Sequence, residues 1–369
     1  MFQKILLRLA VNGGLVVAAF GQTTAVPDDR LELATGNLRK ADTPESRRTA
    51  LNLLARARTS YTLRGAARAY DLKVSFTVDS GRQTDYDGAW TMEDRFDPSQ
   101  GLHWTAEAAA GFRFTGISSK ESSYGQGTAA TIPLRLQEAR AALFSPLPDA
   151  ANLKNASIRT SAASFNGTAL TCILISGSGN AAAPAGRSWE ETEACIDPKS
   201  GLLRVYSQVP GRYYAYEYSD GLRVAGHAMP EKVTVSEGGK AVSTISVDSL
   251  TELPALSKDL FVPAAEMKAA GEPVAMGPAQ KISRFAGSGP FTAGTAIRPV
   301  CVFGLVTPAG QLVELHSLQP GDPNSAAALA DVAKMSFPPE PSGARPQQHF
   351  IFIIEKFAAA NQADSAAAQ

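Results

Sequence analysis

Three cysteines, four histidines and a set of aromatics at strand spacing are the residues of this 369-residue chain that could do chemistry. Cys172 and Cys195 flank a Gly- and Ala-rich stretch, Gly177 to Gly186, and each lies in a run with strand character. Strands joined by such a loop run antiparallel, and directly opposed residues lie about 4.5 to 5.5 Å apart at Cα, within disulfide range. A Cys172–Cys195 disulfide is therefore expected, with Cys301 in a separate apolar strand left free and buried. His103, His227, His316 and His349 have no partners at metal-ligand or triad spacing, so they are read as structural. Ser176-Gly177-Ser178-Gly179 and Gly287-Ser288-Gly289 lack the helix and Lys-Ser/Thr that make a phosphate loop, so they are read as flexible loops. No catalytic set, metal or cofactor is expected, and an enzyme is the least favoured class.

The aromatics leave two readings. Trp90, Trp104, Phe112 and Phe114 alternate with polar residues, so they line an acyl-sized cavity or fill a core between sheet and helix. Tyr214, Tyr216 and Tyr218 share one face of a strand and pose the same choice. Charge excludes one class of partner: 35 basic residues balance 35 acidic ones with no long run of either sign, so nothing marks a nucleic-acid surface.

Several elements must position these residues. Lys4 and Arg8, an apolar stretch from Leu9 to Phe20 and Ala19-Phe20-Gly21 read as a signal peptide, residues 1–21, cut before Gln22. Export places the chain in the periplasm or at the outer membrane and permits disulfides. Thr43-Pro44-Glu45 predicts a helix start, with Leu51, Leu54, Ala55 and Arg58 on one face and Arg47, Arg48 and Arg56 in water. Leu72, Val74, Phe76 and Val78 open a series of about eleven strands, with hairpin turns at Asp97–Gly101, Asn166-Gly167, Asp197–Gly201 and Gly238-Gly239. A second helix is predicted from Pro133 to about Leu143, burying Leu136, Ala139, Ala142 and Leu143. The stretch 268–297 reads as an Ala/Gly/Pro linker. A hairpin then turns at Thr307–Gly310, Asn324 caps a helix, and a nearly all-apolar strand from Gln348 to Phe357 has both faces covered. The last residues, 358–369, read as a disordered tail. The fold class is α+β: a large antiparallel sheet with helices on one face, then a small ββαβ domain.

Two resemblances follow from these elements. The order and number of elements in 43–267, with the ending Asp259-Leu260-Phe261-Val262-Pro263, resemble the LolA/LolB-like half-barrel family of periplasmic lipoprotein carriers. That resemblance implies a curved sheet around helices and an apolar cavity for lipid or lipoprotein acyl chains. Residues 298–357 are similar to the C-terminal domain of TonB-type proteins, through Gly304, Gly310, Ala326-Ala327-Ala328-Leu329, Val332, Phe337-Pro338, Gly343, Arg345-Pro346 and the closing strand. This implies docking of an envelope protein or peptide by strand addition along Gln348, Phe350, Phe352 and Ile354, with a homodimer through the same edge as the alternative. The leading expectation is an exported cell-envelope interaction protein; the second is a carrier or sensor of acyl chains.

Overall fold

The computed structural model describes residues 39–40, 43–61, 63–65, 67–81, 87–129, 131–148, 150–177, 187–286, 297–341 and 347–358. The signal segment 1–21, the loop 178–186, Gly343 with Arg345-Pro346, and residues 359–369 lie outside the described residues.

Helix α1 (Pro44–Tyr61) starts where Thr43 Oγ1 accepts the Ser46 N–H at 3.1 Å. Its buried stripe is Ala50, Leu53, Leu54 and Ala57, turned from the expected one, and Ala55 is exposed. The turn has a cause: Arg47 donates to the carbonyls of Leu153, Lys154 and Ala156, drawing a residue expected in water onto the protein.

Among the described residues one antiparallel sheet holds thirteen strands. In chain order they are β1 (Arg39–Lys40), β2 (Ala69–Val78), β3 (Gly88–Asp97), β4 (Gly101–Ala108), β5 (Arg113–Ser118), β6 (Ser123–Gly127), β7 (Ser157–Phe165) and β8 (Thr168–Ser176). After them come β9 (Thr192–Ile196), β10 (Leu203–Val209), β11 (Arg212–Glu217), β14 (Lys232–Glu237) and β15 (Lys240–Leu253), while β12 (Arg223–Val224) and β13 (His227–Ala228) form a separate pair. The spatial order is β1-β7-β8-β9-β10-β11-β14-β15-β2-β3-β4-β5-β6, so the 14-residue β15 joins the two halves of the chain along β2. The predicted hairpin at Asn166-Gly167 is present, both residues at positive φ (48° and 75°) as its tight turn requires. Two strands, β1 and β6, exceed the expected eleven. Strand β6, Ser-Tyr-Gly-Gln-Gly, has no apolar alternation because its glycines lie against Phe114: a Cβ on Gly125 would come 2.5 Å from that ring.

Helix α2 (Leu134–Phe144) lies with α1 on one face of this sheet, and Leu136, Ala139, Ala142 and Leu143 enter the core as predicted. A short helix α3 (Ala265–Ala270) covers the β6 edge, where Gly125 N–H donates to Gly271 O.

A second sheet contains β16 (Ala275–Met276), β17 (Gln280–Phe285), β18 (Ile297–Val306), β19 (Leu312–Ser317) and β20 (Gln347–Ala358), with helix α4 (Ser325–Val332) inserted before β20. Asn324 stands at the N-cap of α4, but with helical backbone its side chain makes no cap bond. Two expectations change here. The stretch 268–297, read as a linker, carries both β16 and β17. These pair in parallel with β20, Gln280–Phe285 against Ile351–Lys356, while β18 pairs antiparallel on the other side. Strand β20 is therefore interior, and Gln348, Phe350, Phe352 and Ile354 offer no free edge to a peptide or to a second copy. Its continuous apolar run is what a central strand buried on both faces requires: Phe350, Phe352 and Ile354 face the large sheet, and Ile351 and Ile353 pack with Val332 of α4.

Candidate functional site

The two sheets meet in a seam. Cys301, Phe303, Leu305, Phe350 and Phe352 of the small sheet pack with Leu134, Val209 and the half-buried Trp189 of the larger unit. Buried charge sits in this apolar contact. Arg135 and Glu138 come from α2, Arg212 and Tyr214 from β11, and Glu237 from the end of β14. Arg135 Nη1 donates to Glu138 Oε2 at 2.8 Å and to Glu237 Oε1 at 2.7 Å. Arg212 Nε donates to Glu237 Oε1 at 3.2 Å and Nη1 to Gln208 Oε1 at 2.7 Å, while Nη2 pairs with Glu138. The Tyr214 hydroxyl donates to Glu138 at 2.9 Å. The guanidinium of Arg212 also lies 4.4 Å from the Phe303 ring centre and 5.0 Å from that of Phe350, which ties the charge cluster to the small sheet.

Two arginines face two glutamates, so the cluster balances, as burial demands. Burial alone would raise the Glu237 pKa, but Arg135, His316 and Arg212 outweigh it and hold the carboxyl well below its ordinary value. Burial likewise disfavours the Arg212 charge, and Glu138 with Glu237 reverses that, so its pKa rises. From the small sheet, His316 Nε2 approaches Glu237 Oε2 to 2.6 Å, close but imperfectly aligned.

Beside the seam a cavity of about 490 Å³ opens between the sheet, the C-terminal end of α2 and the β16–β17 segment. Its walls are the rings of Tyr206, Tyr214, Tyr216 and Phe350 with Leu147, Met276 and three prolines, Pro146, Pro148 and Pro278. Polar groups enter from Asn152, Thr192, Gln208, Glu138 and Lys281. Adjoining cavities of about 420 and 380 Å³ continue it in two directions. The first shares Asn152, Tyr206 and Lys281; the second shares Ala141, Ser145 and Met276 and reaches Trp104 and Arg140. Lys281 is fixed from the β17 side by donation to Glu190 O (2.8 Å), Thr192 Oγ1 (2.9 Å) and Gln208 O (2.6 Å). Burial, reinforced by Arg187, pushes its ammonium pKa down to about 7.

The expected residues fall in three places. Trp90, Trp104, Phe112 and Phe114 come together as a ring stack, with centroids 5.4 Å apart for Trp90–Phe112 and 4.7 Å for Trp104–Phe114, inside the main core. Of the four, Trp104 also lines the 380 Å³ cavity. Its indole lies across Gly116, where a Cβ would clash at 2.1 Å. Cys172 and Cys195 are directly opposed on β8 and β9 and are disulfide-bonded, and Cys301 is free and buried. Glu193 lies beside the bridge, a grouping that could suit a metal, but the disulfide occupies both sulfurs. His316 and His349 stand on opposite faces of the small sheet, His316 toward Glu237 and His349 toward Glu340. Tyr214 and Tyr216, singled out as one face of a strand, do line the main cavity. Sequence reasoning missed Arg135, Glu138, Arg212, Glu237 and Lys281. An Arg opening the tyrosine-rich β11 was the available signal.

No family model matches the chain, and no curated protein matches it. Among solved structures, it is similar to a LolA superfamily protein from Nitrosomonas europaea, at 11% identity and a TM-score of 0.36 over 58% of this chain and 97% of that one. A DUF1329 family protein from Desulfovibrio piger matches at 8% identity and a TM-score of 0.37 over 58% and 96%. The MucA/MucB complex of Pseudomonas aeruginosa matches at 13% identity and a TM-score of 0.27 over 69% and 75%.

Proposed function

We propose that this is a binding protein of the cell envelope that holds an amphiphile, its apolar chain against the tyrosine wall and its polar end among Asn152, Gln208 and Thr192. One observation carries the reading: a cavity of about 490 Å³ whose walls mix aromatic and aliphatic surface with a few convergent hydrogen-bonding groups. That size and composition suit small-molecule sites in general. The acyl-carrier expectation is favoured over peptide docking because the strand assigned to docking is paired on both sides. Export follows from the signal-like residues 1–21 and is part of the same proposal.

Titration with a fluorescent fatty-acid probe tests it. Saturable binding at micromolar protein is expected, weakened at least about tenfold by Ala141→Phe, which projects a ring into the shared wall of two cavities. Absence of saturable binding by folded wild-type protein overturns the reading.

A further inference from the structure

We propose that the polar end of the amphiphile is an anion, a carboxylate or a phosphate, seated where the cavities of about 490 and 420 Å³ join, against the Lys281 ammonium and the Tyr206 hydroxyl. The inference rests on the cavity being the ligand site and names the chemistry that the site selects.

Five residues line both cavities: Pro148, Asn152, Thr192, Tyr206 and Lys281. Four of them are polar, so the junction is where a head group finds partners. The fold brings them together from two sheets. Tyr206 and Gln208 stand two apart on β10 and share its half-buried face, Thr192 opens the neighbouring β9, and Lys281 reaches across from β17 of the small sheet.

Charge decides the sign of the guest. The Lys281 ammonium donates to three oxygens, Glu190 O, Thr192 Oγ1 and Gln208 O, and all three are neutral. Among the described residues it pairs with no carboxylate. A cation drawn out of water is ordinarily paired, and the ammonium pKa of about 7 reports the cost of leaving it otherwise. The two acids near the junction are already engaged. Glu138 is held by Arg135, Arg212 and Tyr214, and Glu190 turns its carboxylate to Ser188 and Lys356. An anionic head therefore meets one unopposed positive charge.

Hydrogen bonding points the same way. The three protons of Lys281 are committed, so it supplies charge and other groups supply the bonds. Arg212 can only donate, so Gln208 must turn Oε1 to it, which leaves both Nε2 protons over. Thr192 Oγ1 accepts from Lys281 and keeps its own proton to give. The Tyr206 hydroxyl has no partner among the described residues, and burial pushes its pKa up to about 12, so it stays protonated. By contrast, the Tyr214 and Tyr216 hydroxyls donate to Glu138 and to Ala142 O. The junction thus offers donors beside a cation, the complement of a charged group that only accepts.

Calorimetric titration of the full chain with laurate, lauryl phosphate and laurylamine tests this, at about pH 6 where Lys281 is protonated. The apolar chain is the same in all three and only the head changes. At least one anion should bind about tenfold or more tighter than the amine, and which one does so identifies the head as carboxylate or phosphate. Lys281→Met should erase that preference while the apolar chain still binds. Tyr206→Phe deletes a hydroxyl with no protein partner among the described residues. Its urea midpoint should hold while affinity for the preferred anion falls about tenfold, the scale of one hydrogen bond to a charged group. Should Lys281→Met fail to fold, Tyr206→Phe decides. Equal or tighter binding of the amine, or undiminished anion affinity in Tyr206→Phe, overturns the inference and leaves the amphiphile reading standing. Folded wild-type protein that binds none of the three saturably overturns the amphiphile reading itself, and the inference with it.

Discussion

Arg212→Met removes the cation that pairs with both buried glutamates of the large unit and stacks on two rings of the small sheet. The arginine is fully buried; its loss leaves Glu138 and Glu237, with side chains 2% and 1% exposed, facing Arg135, His316 and the Tyr214 hydroxyl. The balanced cluster of two arginines and two glutamates becomes one against two. Removing one partner from a buried charge group costs about 3–5 kcal/mol, because the remaining charge cannot return to water. At a urea m-value of about 3 kcal/mol/M, the midpoint should drop by roughly 1 to 1.7 M. A pH signature accompanies the loss. With excess negative charge the folded variant binds a proton that an unfolded Glu, with a pKa of about 4.3, has already released. The folded state then holds more protons, so variant stability falls as pH rises and the deficit is smaller near pH 5 than near pH 8. Because Arg212 also stacks on Phe303 and Phe350, amides of β18 and β20 should lose exchange protection more than those of β2 or β3. A loss below about 1 kcal/mol with unchanged pH dependence would refute the view that this cluster holds the seam.

Three other outcomes are expected. Reducing the Cys172–Cys195 bond, which spans a separation of 23 residues, should destabilise the chain by about 3.4 kcal/mol in the chain-entropy model; thiol titration in denaturant should find Cys301 alone before reduction. Lys281 has a folded pKa of about 7 against 10.5 unfolded, so above about pH 7 the unfolded chain holds a proton the folded one lacks. Urea stability should climb from about pH 7 until the buried Cys301, whose pKa is raised, opposes it near pH 9, and Lys281→Met should flatten the climb. Trp90→Ala should cost about 3–5 kcal/mol yet leave fatty-acid probe affinity unchanged once folded, whereas Tyr216→Ala should change affinity; the reverse pattern would make the Trp90 stack the ligand wall.

Regular patterns carried most of the fold into the sequence. The alternation of Leu72, Val74, Phe76 and Val78 and the turns at Asn166-Gly167 and Gly238-Gly239 are local signals, and β2 and the hairpins form where they point. The all-apolar run at Phe350–Ile354 announced a strand covered on both faces but not by what. Its second neighbour, β17, reads Gln-Lys-Ile-Ser-Arg-Phe, and its polar residues have distant partners: Lys281 bonds across the seam, and Arg284 pairs with Glu355 and Asp331. Partners 47 to 91 residues away leave no local trace, so the segment looked like linker. The charge cluster was hidden for the same reason, since Arg135, Arg212, Glu237 and His316 meet only once four elements are assembled. The disulfide was legible because both cysteines lie in consecutive runs of strand character, which pair antiparallel and bring Cys172 opposite Cys195. The aromatics were ambiguous by nature. Alternation places Trp90 and Phe112 on one face, but only packing decides that each ring is spent on the next.

Native mass spectrometry of the protein, purified from its own envelope without detergent, tests the central claim most directly. An amphiphile held in the 490 Å³ cavity predicts one bound molecule per chain in the wild type and none in Ala141→Phe. Bare wild-type protein, or an equal load on both, would contradict it.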